Sequence, residues 1–157
     1  MKIVRMAAPL VLGILFAACG PSGTPGISGE VVLSPNVLIS NHATRIFVGA
    51  FAAVQIRDDG WPDVWEQAKY SNTINNLTQS PFDYSFTTDS SERLYVYAFL
   101  DQNGAEDSAD PNPEPNAFDI GGEVVGDVLG RYGSNPATPI DDILKDIDVE
   151  LGVVMTQ

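Results

Sequence analysis

The chain has 157 residues, with 21 Asp and Glu against 8 Lys and Arg, a formal net charge of −13. Its length fits one domain with a short extension, and its 44% of hydrophobic residues can form a packed core. The acidic charge argues against nucleic acid as a partner, because phosphates would be repelled, and a single Cys and a single His exclude a disulfide framework and a two-imidazole zinc site.

The first 18 residues have the pattern of a signal peptide. Lys2 and Arg5 are followed by an uncharged, mostly apolar stretch, residues 6–18, which is too short to span a bilayer. It ends in two alanines before Cys19, and the run LFAAC resembles the lipobox of bacterial lipoproteins. The resemblance implies cleavage before Cys19, a diacylglyceryl thioether on its sulfur and acylation of the new N-terminus. The alternative is an ordinary secretory signal that happens to contain a Cys.

The residues after Cys19 bear on where such an anchor would be placed. In the Gram-negative sorting pattern an Asp at this position retains the lipoprotein at the inner membrane, so Gly20 implies the outer membrane if the source is Gram-negative. Residues 20–26 (GPSGTPG) contain no side chain that could join a core. We therefore predict a flexible linker that tethers an acidic domain, residues 27–157, beside the membrane.

Downstream of the linker, short apolar segments with a period of two are separated by turn residues, which is typical of strands. Pro62 followed by Asp63 instead indicates a short helical turn near residues 62–69. The glycines at 122, 126 and 130 are interpreted as bends in strand or loop. The predicted strands are Ile27–Leu33, Arg45–Ile56, Asn72–Leu77, Phe82–Thr87, Arg93–Leu100 and residues 146–154.

The alternation also predicts which faces of the strands are buried. Both faces of residues 93–100 are apolar, as expected of a central strand, whereas in residues 146–151 Ile147, Val149 and Leu151 alternate with acidic residues. No long helix separates the strands, which argues against a parallel α/β fold. We predict an all-β fold, a single antiparallel β-sandwich of about seven strands.

The order of these segments resembles the transthyretin-like β-sandwich domains, which are related in shape to carboxypeptidase regulatory-like and Cna-B-like repeats. The resemblance covers most of residues 27–154 and is carried by ISGEV, IFVGAF, PFDYSF, RLYVYAFLDQNG and DIDVEL. It implies a binding or spacer role in a secreted or lipid-anchored bacterial protein, and it does not imply an enzymatic activity.

Residues 101–119 form an acidic segment with six carboxylates and no Lys or Arg. Crowded carboxylates repel one another, and Ca²⁺ relieves the repulsion by taking several oxygen ligands. Related sandwich domains often carry a D-x-N-x-[ND]-G run here, and this segment resembles a version shortened by two residues. The resemblance implies a structural Ca²⁺ bound by Asp101, Asn103, Asp107 and Asp110, with the Ala105 carbonyl and Glu106 as further ligands. The alternative is a solvated loop that its prolines keep extended.

Two other patterns suggest alternative functions. Trp61 and Trp65 are four residues apart and could stack on sugar rings in a carbohydrate-binding module, although tryptophans in a small domain more often pack in the core or at its rim. Carboxylate pairs such as Asp58–Asp59 and Asp141–Asp142 could serve a hydrolase, but adjacency in sequence does not provide the separation that catalysis requires.

The sequence therefore predicts a lipid-anchored protein of the bacterial cell envelope that is not an enzyme. Its predicted parts are a signal peptide (residues 1–18), lipidated Cys19 with a linker to residue 26, and a β-sandwich (residues 27–157) that holds calcium. Its expected partners are the membrane, through the anchor, and an envelope protein or glycan.

Overall fold

The computed structural model describes residues 23–78, 80–88, 92–102, 114–115, 117–120, 123–139 and 143–155. Two 3₁₀ turns, Ala53–Gln55 and Trp65–Gln67, accompany ten strands in the described residues. The strands are β1 (Gly26–Leu33), β2 (Arg45–Ala52), β3 (Tyr70–Ile74), β4 (Phe82–Thr87), β5 (Leu94–Asp101), β6 (Ala117–Ile120), β7 (Glu123–Gly126), β8 (Val128–Tyr132), β9 (Ile143–Leu144) and β10 (Val149–Val154). No helix in these ranges is long and apolar enough to cross a membrane.

Eight of these strands form one mixed sheet that curls into a half-barrel. The order is β3–β2–β5–β8–β10–β1–β4, with β9 also paired to β1, while β6 and β7 form a separate hairpin. The all-β fold predicted from the sequence is confirmed. A single antiparallel sandwich is not confirmed, because β1 runs parallel to both β9 and β10.

The larger apolar core lies on the inner face of the curled sheet. Alternate residues of the central strands supply it, among them Ile46 and Val48 from β2 and Val96 and Leu100 from β5, all fully buried. Residues of β1, β4, β8 and β10 complete the same cluster: Ile27, Val31, Phe82, Tyr84, Val128, Val149 and Leu151. The two halves of the sheet therefore fold over a common interior, which removes their apolar faces from water.

A smaller aromatic cluster covers the outer face of β2, β5 and β8. It contains the alternate residues of the same strands, Phe47, Phe51, Tyr97, Phe99 and Leu129, together with Trp65 from the connection between β2 and β3. The two apolar faces that the sequence predicts for residues 93–100 are thus both buried. A central strand needs a cover on each face, and here the connecting segment supplies the outer one.

The predicted strand positions agree with the structure where the alternation is regular. Residues 82–87 match β4, and Ile147, Val149 and Leu151 are buried while the acids between them are exposed. The predicted strand Arg45–Ile56 is too long, because the chain leaves the sheet after Ala52 in a 3₁₀ turn. The predicted helical turn near residues 62–69 is present as the three-residue turn at Trp65–Gln67.

Candidate functional site

The acidic segment begins at a buried polar cluster at the end of β5, which we call the β5-end cluster: Ser40, Arg45, Asp101, Gln102 and Asp127. Three of its side chains are almost inaccessible, since Asp101 is 3% exposed, Gln102 6% and Asp127 1%. Buried polar groups persist only when they are hydrogen-bonded or paired with opposite charge.

Asp101 is balanced by a cation from the neighbouring strand. Asp101 and Arg45 stand opposite each other in the β2–β5 ladder, and Arg45 Nε donates to Asp101 Oδ2 at 3.0 Å. Their side chains are 14% and 4% exposed, so the pair lies largely out of water. The sequence suggested uncompensated charge along residues 101–119, but a cation 56 residues earlier in the chain compensates its first carboxylate.

Gln102 fixes the first step of the chain beyond β5. Its backbone N–H donates to Asp127 Oδ1 at 2.8 Å, and its side-chain Nε2 donates to the Leu38 carbonyl at 3.0 Å. Ser40 completes the arrangement, because its N–H donates to Gln102 Oε1 and its Oγ donates to the Gln102 carbonyl. These hydrogen bonds tie the start of the acidic segment to the segment before β2.

The far end of the acidic segment is also held. The Glu114 carboxylate accepts the backbone N–H of Trp65 at 2.8 Å and that of Glu66 at 3.4 Å. These contacts satisfy free N–H groups at the start of the 3₁₀ turn, which is the usual role of an acceptor at that position. Glu114 is thus hydrogen-bonded to the turn that carries Trp65.

Of the four calcium ligands that the sequence predicts, only Asp101 lies in the described part of the chain. Asn103, Asp107 and Asp110 lie outside the described residues, as do Ala105 and Glu106. Asp101 is poorly placed to bind calcium, because its Oδ2 already forms an ion pair with Arg45. Within the described ranges, no group of three or more His, Cys, Asp or Glu side chains is arranged to hold a metal ion.

The two tryptophans have different environments. Trp65 is 4% exposed, and its ring contacts Phe99 and Phe51 edge-on, at centroid distances of 5.1 and 5.9 Å. Trp61 is half-buried between the Tyr97 ring, at 5.6 Å, and the Arg131 guanidinium, at 5.8 Å from the indole centroid. Trp65 is therefore a core residue whose ring is covered, so the predicted pair of sugar-stacking indoles is not presented together at the surface.

The outer aromatic cluster is fastened by a tyrosine hydroxyl. Tyr97 Oη donates to the Gly60 carbonyl at 2.7 Å, which holds the turn at Asp58–Gly60 over the sheet. Burial raises the pKa of the Tyr97 hydroxyl, so it remains a donor well into alkaline solution. In the same turn, the Trp61 backbone N–H and the Arg57 guanidinium hold the pKa of the Asp59 carboxyl below its usual range.

A second polar region lies where the first and last strands of the sheet order approach each other. The side-chain amide of Asn72 in β3 donates to the Ser85 carbonyl in β4 at 3.0 Å, and the Tyr70 and Phe86 rings stack at 6.3 Å. A groove of about 600 Å³ opens beside these contacts. We call this region the β3–β4 seam. Sequence reasoning missed it, because local alternation does not show that β3 and β4 approach each other without forming a ladder.

Comparison of the chain with known protein families, with curated proteins and with solved structures finds no match. The resemblance to transthyretin-like domains therefore rests on the sequence segments that carry it.

Proposed function

We propose that this chain is a lipid-anchored protein of the bacterial cell envelope whose single β domain acts as a binding or spacing module. The proposal is supported by the place where the domain begins. β1 starts at Gly26, seven residues after Cys19, and Ile27 is already fully buried. Seven extended residues reach at most about 25 Å, so a lipid on Cys19 would hold the folded domain close to the membrane surface.

The proposed domain type is a transthyretin-like sandwich. In support, β2 and β5 contribute to the same interior as β1, β4 and β10, so two halves of one sheet enclose a common core as the layers of a sandwich do. The parallel contact between β1 and β10 departs from a purely antiparallel sandwich.

We propose a structural calcium ion in the acidic loop as the second part of this function. The support is the density of carboxylates in residues 101–119 and the rigid attachment of that segment at Gln102 and Glu114. A loop with fixed ends loses less conformational entropy when its ligands are brought together. Because Arg45 binds Asp101, the proposed ligand set depends mainly on Asn103, Asp107 and Asp110, and its affinity would be in the range of extracellular modules, a Kd of about 10⁻⁴–10⁻³ M.

Metabolic labelling with an alkyne-tagged palmitate in a bacterial host tests the anchor. The wild-type chain is expected to take up the label and sediment with the membranes, while Cys19→Ser should lose the label and leave the membrane fraction. Ser22→Ala, a linker substitution, is the matched control and should be labelled like wild type. Intact-protein mass spectrometry showing an unmodified thiol on an uncleaved N-terminus would contradict the proposal.

Thermal unfolding with and without calcium tests the metal site. At ~10 mM Ca²⁺ a site of the proposed affinity stabilises the folded chain by about 1.4–2.7 kcal/mol, and Asp107→Asn/Asp110→Asn should remove that gain. Asp58→Asn/Asp63→Asn removes the same charge from exposed positions elsewhere and should keep it. Absence of any calcium-dependent shift in the wild-type chain would eliminate the site.

A further inference from the structure

The strand directions place the start of β1 and the end of β2 at the same end of the sheet. β10 runs parallel to β1, and β8, β5 and β2 alternate in direction from there. Gly26, the first residue of β1, therefore lies at the end of the sheet where β2 finishes at Ala52, and we call this the tether end. Leu33 and Asp101, the last residues of β1 and β5, lie at the opposite end, which we call the acidic end.

The acidic segment begins and finishes at the acidic end. Asp101 closes β5, Asp127 directly precedes β8, and the Gln102 N–H donates to the Asp127 carboxylate at 2.8 Å. Residues 101–127 carry eight carboxylates and no Lys or Arg. This acidic stretch therefore leaves and rejoins the sheet on the side away from Gly26.

The linker is too short to bring the acidic end to a membrane that holds Cys19. Seven residues, Cys19 to Pro25, precede β1, and they span at most about 25 Å, or about 15 Å on average for a flexible chain. β1 and β2 are each 8 residues long, about 26 Å at the usual rise of a strand. With the acidic end on the lipid, Gly26 would lie roughly a strand length away, which would stretch the linker to its limit and remove its conformational freedom. The anchor therefore favours lipid contact by the tether end or by a flank of the sheet.

The flank of the sheet formed by β4, β1 and the closing residues 148–151 has an acidic outer face. Its outward side chains alternate with buried core residues and include Glu30, Asp83, Asp148 and Glu150. Lys145 and Arg131 are nearby cations, so the flank keeps a negative balance. Anionic lipid head groups repel such a face within a Debye length, about 8–10 Å. A side-on arrangement on an anionic membrane is therefore disfavoured.

The tether end presents apolar side chains to solvent. Val54, in the 3₁₀ turn directly after β2, is 92% exposed, and Ile143 in β9, paired beside the start of β1, is 40% exposed. Gln55 holds this turn, because its Oε1 accepts the Ala52 N–H at 2.8 Å and its Nε2 donates to the Gln67 carbonyl. Val54 thus projects from a hydrogen-bonded turn, and contact with lipid would remove its side chain from water.

We propose that the anchored domain stands on the lipid surface with its tether end, the Val54 turn touching the head groups, and directs its acidic end to the aqueous side. The short linker sets this orientation, and repulsion between the acidic flank and anionic lipid reinforces it. The acidic segment, with the calcium ion proposed there, then leaves the sheet about 26 Å from the lipid, beyond the Debye length. The inference rests on the proposed lipid at Cys19, and it names the surface that the anchored domain turns to the membrane.

The single Cys of the chain makes a site-specific test possible, because its sulfur would carry the lipid and an introduced cysteine would be the free thiol. Val54→Cys and Leu38→Cys are the matched pair, because both side chains are exposed, 92% and 82%, and Leu38 lies at the acidic end, where its carbonyl accepts Gln102 Nε2. Asp148→Cys marks the flank. Each chain is purified in its lipidated form and labelled with a nitrobenzoxadiazole fluorophore. It is then reconstituted into vesicles of phosphatidylethanolamine and phosphatidylglycerol, with or without lipid that carries a nitroxide on its head group.

We expect the nitroxide to quench the label at residue 54 at least about threefold more strongly than the label at residue 38, because the two ends lie about a strand length apart. The label at residue 148 should be quenched to an intermediate degree. Emission from residue 54 should also shift to the blue when the chain enters vesicles, since contact with lipid removes water from the fluorophore, whereas emission from residue 38 should not.

Equal quenching at residues 54 and 38, or the strongest quenching at residue 148, would overturn this orientation, while flotation of the same chains with the vesicles would leave the anchor intact. A blue shift at residue 54 without quenching by the nitroxide would also overturn it, and would identify a second copy of the chain as the cover of the turn. A chain whose mass shows no lipid at Cys19 would overturn the anchor and the orientation together.

Discussion

Residue 29 must be a glycine, because two backbone segments approach each other closely at that position. The segment after β9 crosses the inner face of β1 at Gly29, where a Cβ would lie 2.4 Å from the Ile147 carbonyl oxygen and 2.6 Å from its carbon. Tyr84 Oη donates to the same carbonyl, which keeps Ile147 in place beneath the core. A side chain at residue 29 would therefore force the backbone to move, because the nearest atoms belong to the backbone of Ile147 and not to a flexible side chain.

Gly29→Ala is expected to destabilise the domain by about 1–3 kcal/mol, the usual cost of forcing extra volume into a packed interior. Gly133→Ala is the control, because a Cβ at residue 133 meets no atom within 4 Å. Urea unfolding followed by tryptophan fluorescence measures both variants. Equal stability of the two would contradict the contact between β1 and Ile147.

Ionisation of the Tyr84 hydroxyl makes the stability of the fold decrease at alkaline pH. Burial, followed by the nearby Asp148 carboxylate, raises the pKa of the Tyr84 hydroxyl well above its ordinary value of about 10. The folded state therefore keeps the proton when the unfolded state releases it. The contribution is fully present below pH ~10 and is lost as the pH rises above that value towards the folded-state pKa.

The free energy of unfolding should thus decline above pH ~10 more steeply in the wild-type chain than in Tyr84→Phe. The variant is expected to be less stable near neutrality, because it lacks the hydroxyl that donates to Ile147. Urea titrations at several pH values between 8 and 11 measure the slopes. Identical slopes would mean that Tyr84 does not titrate differently in the two states.

At the scale of elements, β8 pairs with only part of β5. Beyond it, the side chain of Asn135 and the backbone of Ala137 hydrogen-bond the edge of β5. The Val96 N–H donates to Asn135 Oδ1 at 2.8 Å, and Asn135 Nδ2 donates to the Val96 carbonyl at 3.0 Å. Leu94 and Ala137 then exchange two backbone hydrogen bonds. The amide of Asn135 thus takes the place of one residue of a neighbouring strand.

Asn135→Ala should cost about 1–3 kcal/mol, since it leaves the buried N–H and C=O of Val96 without their partners. Hydrogen exchange followed by mass spectrometry should show faster exchange at Val96. Asn76→Ala, which removes an exposed amide whose oxygen accepts from Thr78 within its own turn, is the control and should leave both quantities unchanged. Retained protection at Val96 would contradict this role for Asn135.

Elements with regular alternation were predictable, and those that depend on a close approach were not. β4, β5 and the buried residues of β10 follow from period-two patterns that are complete in the local sequence. No strand is predicted at β8, where the glycines indicate only bends in strand or loop; Gly130 lies inside β8, and a Cβ there would stand 2.2 Å from the Glu150 carbonyl oxygen. That requirement comes from β10, which is distant in sequence.

At the scale of the whole molecule, β10, the last strand in chain order, lies in the interior of the sheet. β10 lies between β8 and β1, and it pairs with β1 at Val31–Val149 through Leu33–Leu151. Contacts between β1 and β10 join segments far apart in the chain, so their pairing costs more loop-closure entropy than that of strands close in sequence. The domain therefore cannot be complete until nearly all of its chain is available.

Removal of residues 149–157 is expected to abolish cooperative unfolding, because it exposes the inner edges of β1 and β8 and removes Val149 and Leu151 from the core. Removal of residues 156–157 alone leaves β10 and should preserve the transition. Circular dichroism with thermal melting distinguishes the two truncations. A cooperative melt without β10 would show that the sheet does not need it.

The sequence by itself determined the all-β class of fold, the approximate positions of six strands and the buried residues of β10, because alternation is a local property of neighbouring side chains. Only the tertiary structure decided which strands pair, that Arg45 neutralises Asp101, and that Trp65 is covered while Trp61 reaches the surface. Those outcomes depend on the curl of one sheet, which joins residues far apart in the chain and is set by the sum of many weak packing contacts.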